Sequence, residues 1–152
     1  MAIGDRIFHG VLQAHEAIYK ASDGRVGHRL LGVPTLLLRT TGRRSGETRT
    51  NGLVYARDAE RYLVVPSNGG ARRAPGWLHN LAADPRVEIQ IGRERQPASA
   101  EVIAKDHPDF PRLWKAVNDN NRGLYDGYQS RTDRPIPVVA LRADGSAGSA
   151  SS

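Results

Sequence analysis

The segment Thr40-Thr41-Gly42-Arg43-Arg44-Ser45-Gly46 decides how the rest of the chain is read. Pro34 to Thr40 precedes it, with the apolar run Leu36-Leu37-Leu38, and Thr48 to Arg57 follows, where Leu53 and Tyr55 alternate with smaller or polar neighbours. An apolar run of strand length, a glycine-bounded turn and an alternating run together spell a hairpin. Asp58-Ala59-Glu60 then turns the chain into Arg61 to Pro66, centred on Leu63-Val64-Val65. Farther on, Val87, Ile89 and Ile91 alternate with Arg86, Glu88 and Gln90. Ala98 to Ala104 pairs with that run, and Ile136 to Leu141 supplies a last strand. Turn signals this regular predict an antiparallel meander of about six short strands.

Helical periodicity occupies the gaps. Ile7, Phe8, Val11, Leu12, His15, Ile18 and Tyr19 share one face of a segment over residues 5–20, with Asp5 as its N-cap. A short helix is expected from Trp77 to Ala83, stopped by Asp84-Pro85. Another runs near Pro108 to Asn118, with Phe110, Leu113, Trp114 and Val117 at i, i+3, i+4 and i+7. The class is therefore mainly β with flanking helices, a small antiparallel barrel with helices at the start, in the middle and before the last strand. Residues 1–144 read as one domain, and the small, polar stretch 145–152 reads as a disordered tail. The first helix is expected to pack on its own domain; the alternatives are a lid over a hydrophobic site or a membrane-surface contact.

Composition narrows the chemistry. The chain has 152 residues and a net charge of +6, and only three of its 22 basic side chains are lysines (Lys20, Lys105, Lys115), so arginine carries the cationic side. Guanidinium binds phosphate and carboxylate as a planar fork, which points to an anionic partner. With no cysteine, thiol chemistry and thiolate metal sites are excluded. None of the five histidines has a histidine or carboxylate partner at ligand spacing, so no metal is expected. No HExxH, GxSxG, Walker loop or GxGxxG is present. Nothing approaches the roughly 18 apolar residues of a membrane span, and the N-terminus lacks the core of a secretory signal, so a cytoplasmic protein is expected.

Three features could carry a site. The Gly42–Gly46 turn offers backbone N–H groups and paired arginines, with Arg49 and Asn51 following on the next strand. Ser67-Asn68-Gly69-Gly70-Ala71-Arg72-Arg73, closed by Pro75-Gly76-Trp77, is a second loop of the same kind. Tyr125 and Tyr128 lie three apart, on one face if helical, where a phenol can donate to an oxygen that gains charge during reduction. Against these stand the bland readings: solvated hairpin turns for the loops, and core packing for the tyrosines.

The segments Thr40–Gly46 with Arg49 and Asn51, Ser67–Gly70, and Pro75-Gly76-Trp77-Leu78-His79-Asn80-Leu81 with Asp84-Pro85 and Val87 resemble the deazaflavin-dependent nitroreductase family of actinobacteria. The likeness runs from the first helix to the last strand. It implies a split β-barrel that binds coenzyme F-420, a deazaflavin bearing a phosphate and an oligoglutamate tail. It also implies hydride transfer to quinones, nitroaromatics or activated enones. On this resemblance Arg44, Arg49 and Asn51 hold the phosphate region, while Ser67, Asn68, Gly69 and Gly70 line the deazaflavin ring. Pro75, Gly76 and Trp77 wall the cofactor, and Tyr125 and Tyr128 face the acceptor. A monomer or a homodimer is implied, with no nucleic acid partner. The competing readings are a split barrel that takes flavin mononucleotide, a basic nucleic-acid-binding module, and a non-catalytic carrier of a lipid or quinone.

Overall fold

A computed structural model of the chain describes residues 29–30 and 33–144. The expected first helix (5–20) and the tail (145–152) lie outside the described residues. Eight strands appear among those described: β1 (Arg29–Leu30), β2 (Val33–Thr41), β3 (Thr48–Val54), β4 (Ala56–Asp58), β5 (Arg61–Val64), β6 (Arg86–Ile91), β7 (Glu94–Ile103) and β8 (Val138–Ala143). Three helices accompany them: α1 (Gly76–Ala83), α2 (Phe110–Asn120) and α3 (Leu124–Gln129). The strand count exceeds the expected six partly because the run from Thr48 to Arg57 breaks at Tyr55. That residue leaves the strand and donates its N–H to the Pro34 carbonyl (3.1 Å).

All pairings are antiparallel, in the order β1-β2-β6-β7-β8-β5-β4, with β3 on the other flank of β2. This is not the simple meander that turn spacing suggests, because β8 inserts between β7 and β5. The reason is legible in β8 itself. Val138, Val139, Ala140 and Leu141 are all buried, and consecutive apolar residues point to opposite faces of a strand. Such a strand needs cover on both sides and so belongs in the middle of the sheet.

Two cores result. Val139 and Leu141 face the barrel interior with Leu36, Leu38, Val64 and Ile89, and α1 closes that interior with Trp77 and Leu81. Val138 and Ala140 face the other way, onto Phe110, Leu113 and Val117 of α2 and Tyr125 and Tyr128 of α3. Each fully buried side chain of this size contributes roughly 1.5–3 kcal/mol. Asp58 ties the β4–β5 turn to the helical layer, accepting from Arg61 (2.5 Å) and Arg112 (2.7 Å). These hydrogen bonds, Arg112's first, hold its carboxyl below the usual carboxylate range.

The helix that carries the tyrosines, α3, and its neighbour α2 are fixed by polar bonds as well as packing. Asn120 donates to the Tyr55 carbonyl (2.8 Å), the Trp114 indole donates to Asp126 (2.7 Å), and Asn118 Oδ1 accepts from the Asp126 N–H (3.0 Å). Arg122 (φ 60°) and Gly123 (φ 73°) make the left-handed reversal between α2 and α3.

Candidate functional site

The hairpin of β2 and β3 pairs Thr40 with Arg49 and Thr41 with Thr48, so the Gly42–Gly46 turn stands at its tip and Arg49 lies directly beneath it. A concavity of about 380 Å³ opens there. Arg43, Arg44 and Ser45 form one wall, Arg49 and Asn51 of β3 a second, and Gly76, Trp77 and Asn80 of α1 a third. Residues that are widely separated in sequence thus converge. Arg44 and Arg49 are exposed; Arg49 lies 3.7 Å from Glu47, while Arg44 has no carboxylate partner among the described residues.

α1 brings its N-terminus to this wall. Pro75 occupies the N-cap, and it makes no side-chain capping bond and has no acidic residue in the turn that follows. The first N–H groups of a helix lack intrahelical partners and carry the positive end of its dipole. A Cβ added to Gly76 would meet nothing within 4 Å, so the groove reaches the backbone there. Uncapped N–H groups beside guanidinium groups make a site for a phosphate or carboxylate.

Four amides at the turn are engaged within the protein: Gly42 N–H donates to the Glu47 carbonyl (2.7 Å), Gly46 N–H to the Gly42 carbonyl (2.8 Å), Glu47 N–H to Ser45 Oγ (3.1 Å) and Arg43 N–H to Asn80 Oδ1 (3.1 Å). The Arg44 and Ser45 N–H groups are not among them, so the turn amides open to an anion are these two, beside the charge of the arginines and the start of α1.

On the same strand Gly52, Leu53 and Val54 line a smaller, more enclosed space of about 100 Å³ with Val65, Ser67, Asn121, Tyr125 and Tyr128. Asn51 and Gly52, consecutive in β3, therefore border one space and the other. The tyrosine rings meet edge to face with centroids 6.3 Å apart. Burial pushes the Tyr125 phenol up to about 12, against the opposing effect of its hydrogen bond to Asn121.

Of the expected site residues, Arg44, Arg49, Asn51, Gly76 and Trp77 share the larger groove, and Ser67, Tyr125 and Tyr128 share the smaller space. Asn68, Gly69 and Gly70 form a single 3₁₀ turn beside them. Asn68 donates to the Arg73 carbonyl (3.0 Å), and Gly70 lies against the Tyr128 carbonyl, 2.7 Å from where a Cβ would sit. Pro75 caps α1, while Arg72 and Arg73 are exposed and line neither space. Three residues escaped the sequence reading. Asn80 and Asn121 are buried polar side chains at the two spaces. Arg134 grips the second loop from behind, donating to the carbonyls of Pro66 (3.2 Å), Ser67 (3.0 Å) and Ala71 (3.1 Å). Asn80, one helical turn from Trp77, could have been found by its spacing; Arg134 sits in a polar stretch without periodicity.

A third concavity of about 490 Å³ lies by Arg39, Arg86 and Arg95. There Glu88 pairs with Arg39 (3.2 Å) and Asp84 with Arg86 (3.1 Å), so much of its positive charge is already answered. Among the described residues no cluster of three or more His, Cys, Asp or Glu side chains could hold a metal, and no helix is long and apolar enough to cross a membrane.

Comparison with known proteins gives a consistent picture. The profile of the F420H(2)-dependent quinone reductase family matches residues 11–143. A Mycobacterium tuberculosis protein named as an F420H(2)-dependent quinone reductase is 52% identical over 132 residues, covering 86% of this chain and 89% of that relative. Among solved structures, an F420-H2 dependent reductase is similar at 32% identity with a TM-score of 0.64, covering 72% of this chain and 94% of that one. Another, described as a domain-swapped dimer, is similar at 30% identity with a TM-score of 0.66, covering 83% and 93%.

Proposed function

This chain belongs to the F420H(2)-dependent quinone reductase family, and from that premise we propose how its two adjoining spaces divide the work of reducing a quinone. Coenzyme F-420 bears a phosphate and a string of carboxylates at one end and a flat ring at the other. The residues present suit the acidic end: Arg44, Arg49 and the uncapped start of α1 offer positive charge in an open groove, and the small, aromatic space beside it is left for the acceptor. Arg44, Arg49 and Asn51 hold the phosphate region, and Gly76 and Trp77 wall the groove. Ser67 lines the enclosed space with Tyr125 and Tyr128. The convergence of Arg44, Arg49 and the α1 N-terminus in one groove carries this reading.

When bound, the reduced deazaflavin supplies the hydride. The protein binds, orients and excludes water. Tyr125 and Tyr128 border the space in which the acceptor is placed. The buried Tyr125 phenol stays protonated, so it has a hydrogen to donate to an acceptor oxygen as charge grows on it. Quinones are the acceptors the family supports; nitroaromatics and activated enones offer the same kind of oxygen and belong in the same trial. Likeness to a domain-swapped dimer supports the homodimer of the two states left open above.

The test is reoxidation of reduced F-420 by a panel of quinones, nitroaromatics and enones, with cofactor affinity measured in parallel. Arg44→Ala and Arg49→Ala are each expected to weaken cofactor binding by about tenfold or more, the effect of losing one charge-assisted contact. Arg72→Ala is expected to leave it unchanged. Equal binding by all four proteins would remove the groove from the account.

A further inference from the structure

We propose that Asn80 is a positioning residue for the cofactor's acidic end, holding the Gly42–Gly46 turn so that Arg44 faces the groove. This rests on the reading of that groove given above.

Asn80 is 5% exposed, on the α1 face that also carries Trp77. A buried carboxamide must satisfy a donor and an acceptor. Here each is satisfied by one end of the same short segment. Oδ1 accepts from the Arg43 N–H (3.1 Å) and from Arg43 Nη1 (3.5 Å), while Nδ2 donates to Thr40 Oγ1 (3.1 Å). Thr40 is itself buried beneath the turn. The side chain thus clips both the last residues of β2 and the first arginine of the turn to α1. The other hydrogen bonds of the turn run within it, from Gly42 to Glu47 and from Gly46 back to Gly42, and fix its shape without fixing where it stands.

The clip distinguishes two neighbouring arginines. Arg43 is exposed like its neighbour, but its amide and one guanidinium nitrogen are directed at Asn80. Arg44, the next residue, has no carboxylate partner among the described residues and is exposed at the rim. Because Asn80 and the start of α1 belong to one short helix, the turn and the helix N-terminus are held at a fixed separation. That separation decides whether one anion can meet both.

A residue acting through Arg44 must show thermodynamic coupling to it, although the two side chains are not hydrogen-bonded. Cofactor affinity is read by titrating the wild type, Asn80→Ala, Arg44→Ala and the double variant with F-420, each first checked for cooperative unfolding. Asn80→Ala is expected to weaken binding about tenfold, and in its background Arg44→Ala is expected to cost under about threefold rather than tenfold. In steady state the KM for reduced F-420 rises while kcat is retained, as for loss of uniform binding. Thr40→Val removes the anchor of the carboxamide from below, outside the groove, and covers the case in which Asn80→Ala does not fold. It is expected to weaken F-420 binding by about threefold or more through the same clip. Strictly additive losses, or undiminished affinity in Thr40→Val, would overturn the proposal while leaving the cofactor reading in place. A wild type that does not bind F-420 would overturn both.

Discussion

The two glycine-bearing bends look alike in sequence and are built in opposite ways. The first, Gly42–Gly46, stands at a hairpin tip with its arginines outward and is clipped to α1 by Asn80. The second, Ser67 to Arg73, is wrapped inward. Its own arginines are exposed, its 3₁₀ turn packs against α3, and a distant arginine, Arg134, holds two of its carbonyls and that of Pro66 just before it. In the first bend guanidinium groups face the space where a ligand can lie; in the second a guanidinium is part of the scaffold. Burial lowers the pKa of Arg134, the mark of a cation partly withdrawn from water and answered by carbonyl dipoles. Arg–Gly composition alone does not separate a binding loop from a braced one. What separates them is whether the chain behind the loop leaves its outer surface open.

The same substitution in both bends breaks the comparison most sharply. Gly70 and Gly46 both have positive φ, 82° and 73°. A methyl group at Gly46 meets nothing within 4 Å, whereas at Gly70 it would sit 2.7 Å from the Tyr128 carbonyl and 3.1 Å from Arg131 Cβ. Gly46→Ala should cost only left-handed strain, about 1 kcal/mol, whereas Gly70→Ala adds overpacking against backbone and should cost about 3 kcal/mol. Urea unfolding of the two variants decides it. Equal losses would mean that the second bend is as free as the first.

Arg134 sharpens the contrast from the scaffold side. Arg134→Ala strips two partly buried carbonyls and one exposed carbonyl of a charged donor and is expected to cost about 2 kcal/mol in unfolding free energy. Arg134→Lys keeps the charge but not the fork that reaches several carbonyls at once, and should recover less than half of it. Because Ser67 borders the tyrosine-lined space, both variants should also raise the KM for the quinone more than that for reduced F-420. An Arg134→Ala protein with wild-type stability would make the clamp ornamental.

Much of this was readable from the residues, and the failures have physical causes. The hairpin of β2 and β3, the alternation of β6 and the amphipathic face of α2 all follow from local periodicity, which one strand or helix displays by itself. The strand order does not, since the place of β8 depends on what covers its second face. In the site, Arg44, Arg49 and Asn51 are legible because a turn and the strand after it keep neighbours together. Arg134 is not, because it acts on a segment dozens of residues away through hydrogen bonds that no spacing records; the spacing of Asn80 from Trp77 places it on the same helix face, but not against the turn it holds. Nor does spacing say which amides of the first turn are used up: Gly42, Arg43 and Gly46 are engaged, and Arg44 and Ser45 are not among the engaged amides.

Tyr125 carries the comparison to the space beneath the second bend, with the smallest expected effect. Its phenol has an ordinary value of 10.0 and stands near 12 in the folded chain, chiefly because burial disfavours the phenolate. Below pH 10 both folded and unfolded chains hold the proton, and stability does not depend on this group. Between pH 10 and 12 the unfolded chain releases the proton while the folded one retains it, so the unfolded state binds fewer protons and stability falls as pH rises. At pH 11 the loss is about 1.4 kcal/mol, and the slope there is at its steepest, about 1.1 kcal/mol per pH unit. Tyr125→Phe should flatten this decline relative to the wild type, as measured by urea unfolding at pH 9, 10 and 11. At neutral pH the same phenol is fully protonated, so what it offers a quinone oxygen is a donated hydrogen bond, and the variant should lower kcat while sparing F-420 affinity. A variant that loses the alkaline decline but turns over quinone at the wild-type rate would confine Tyr125 to packing. Tyr128 would then remain as the phenol facing the acceptor.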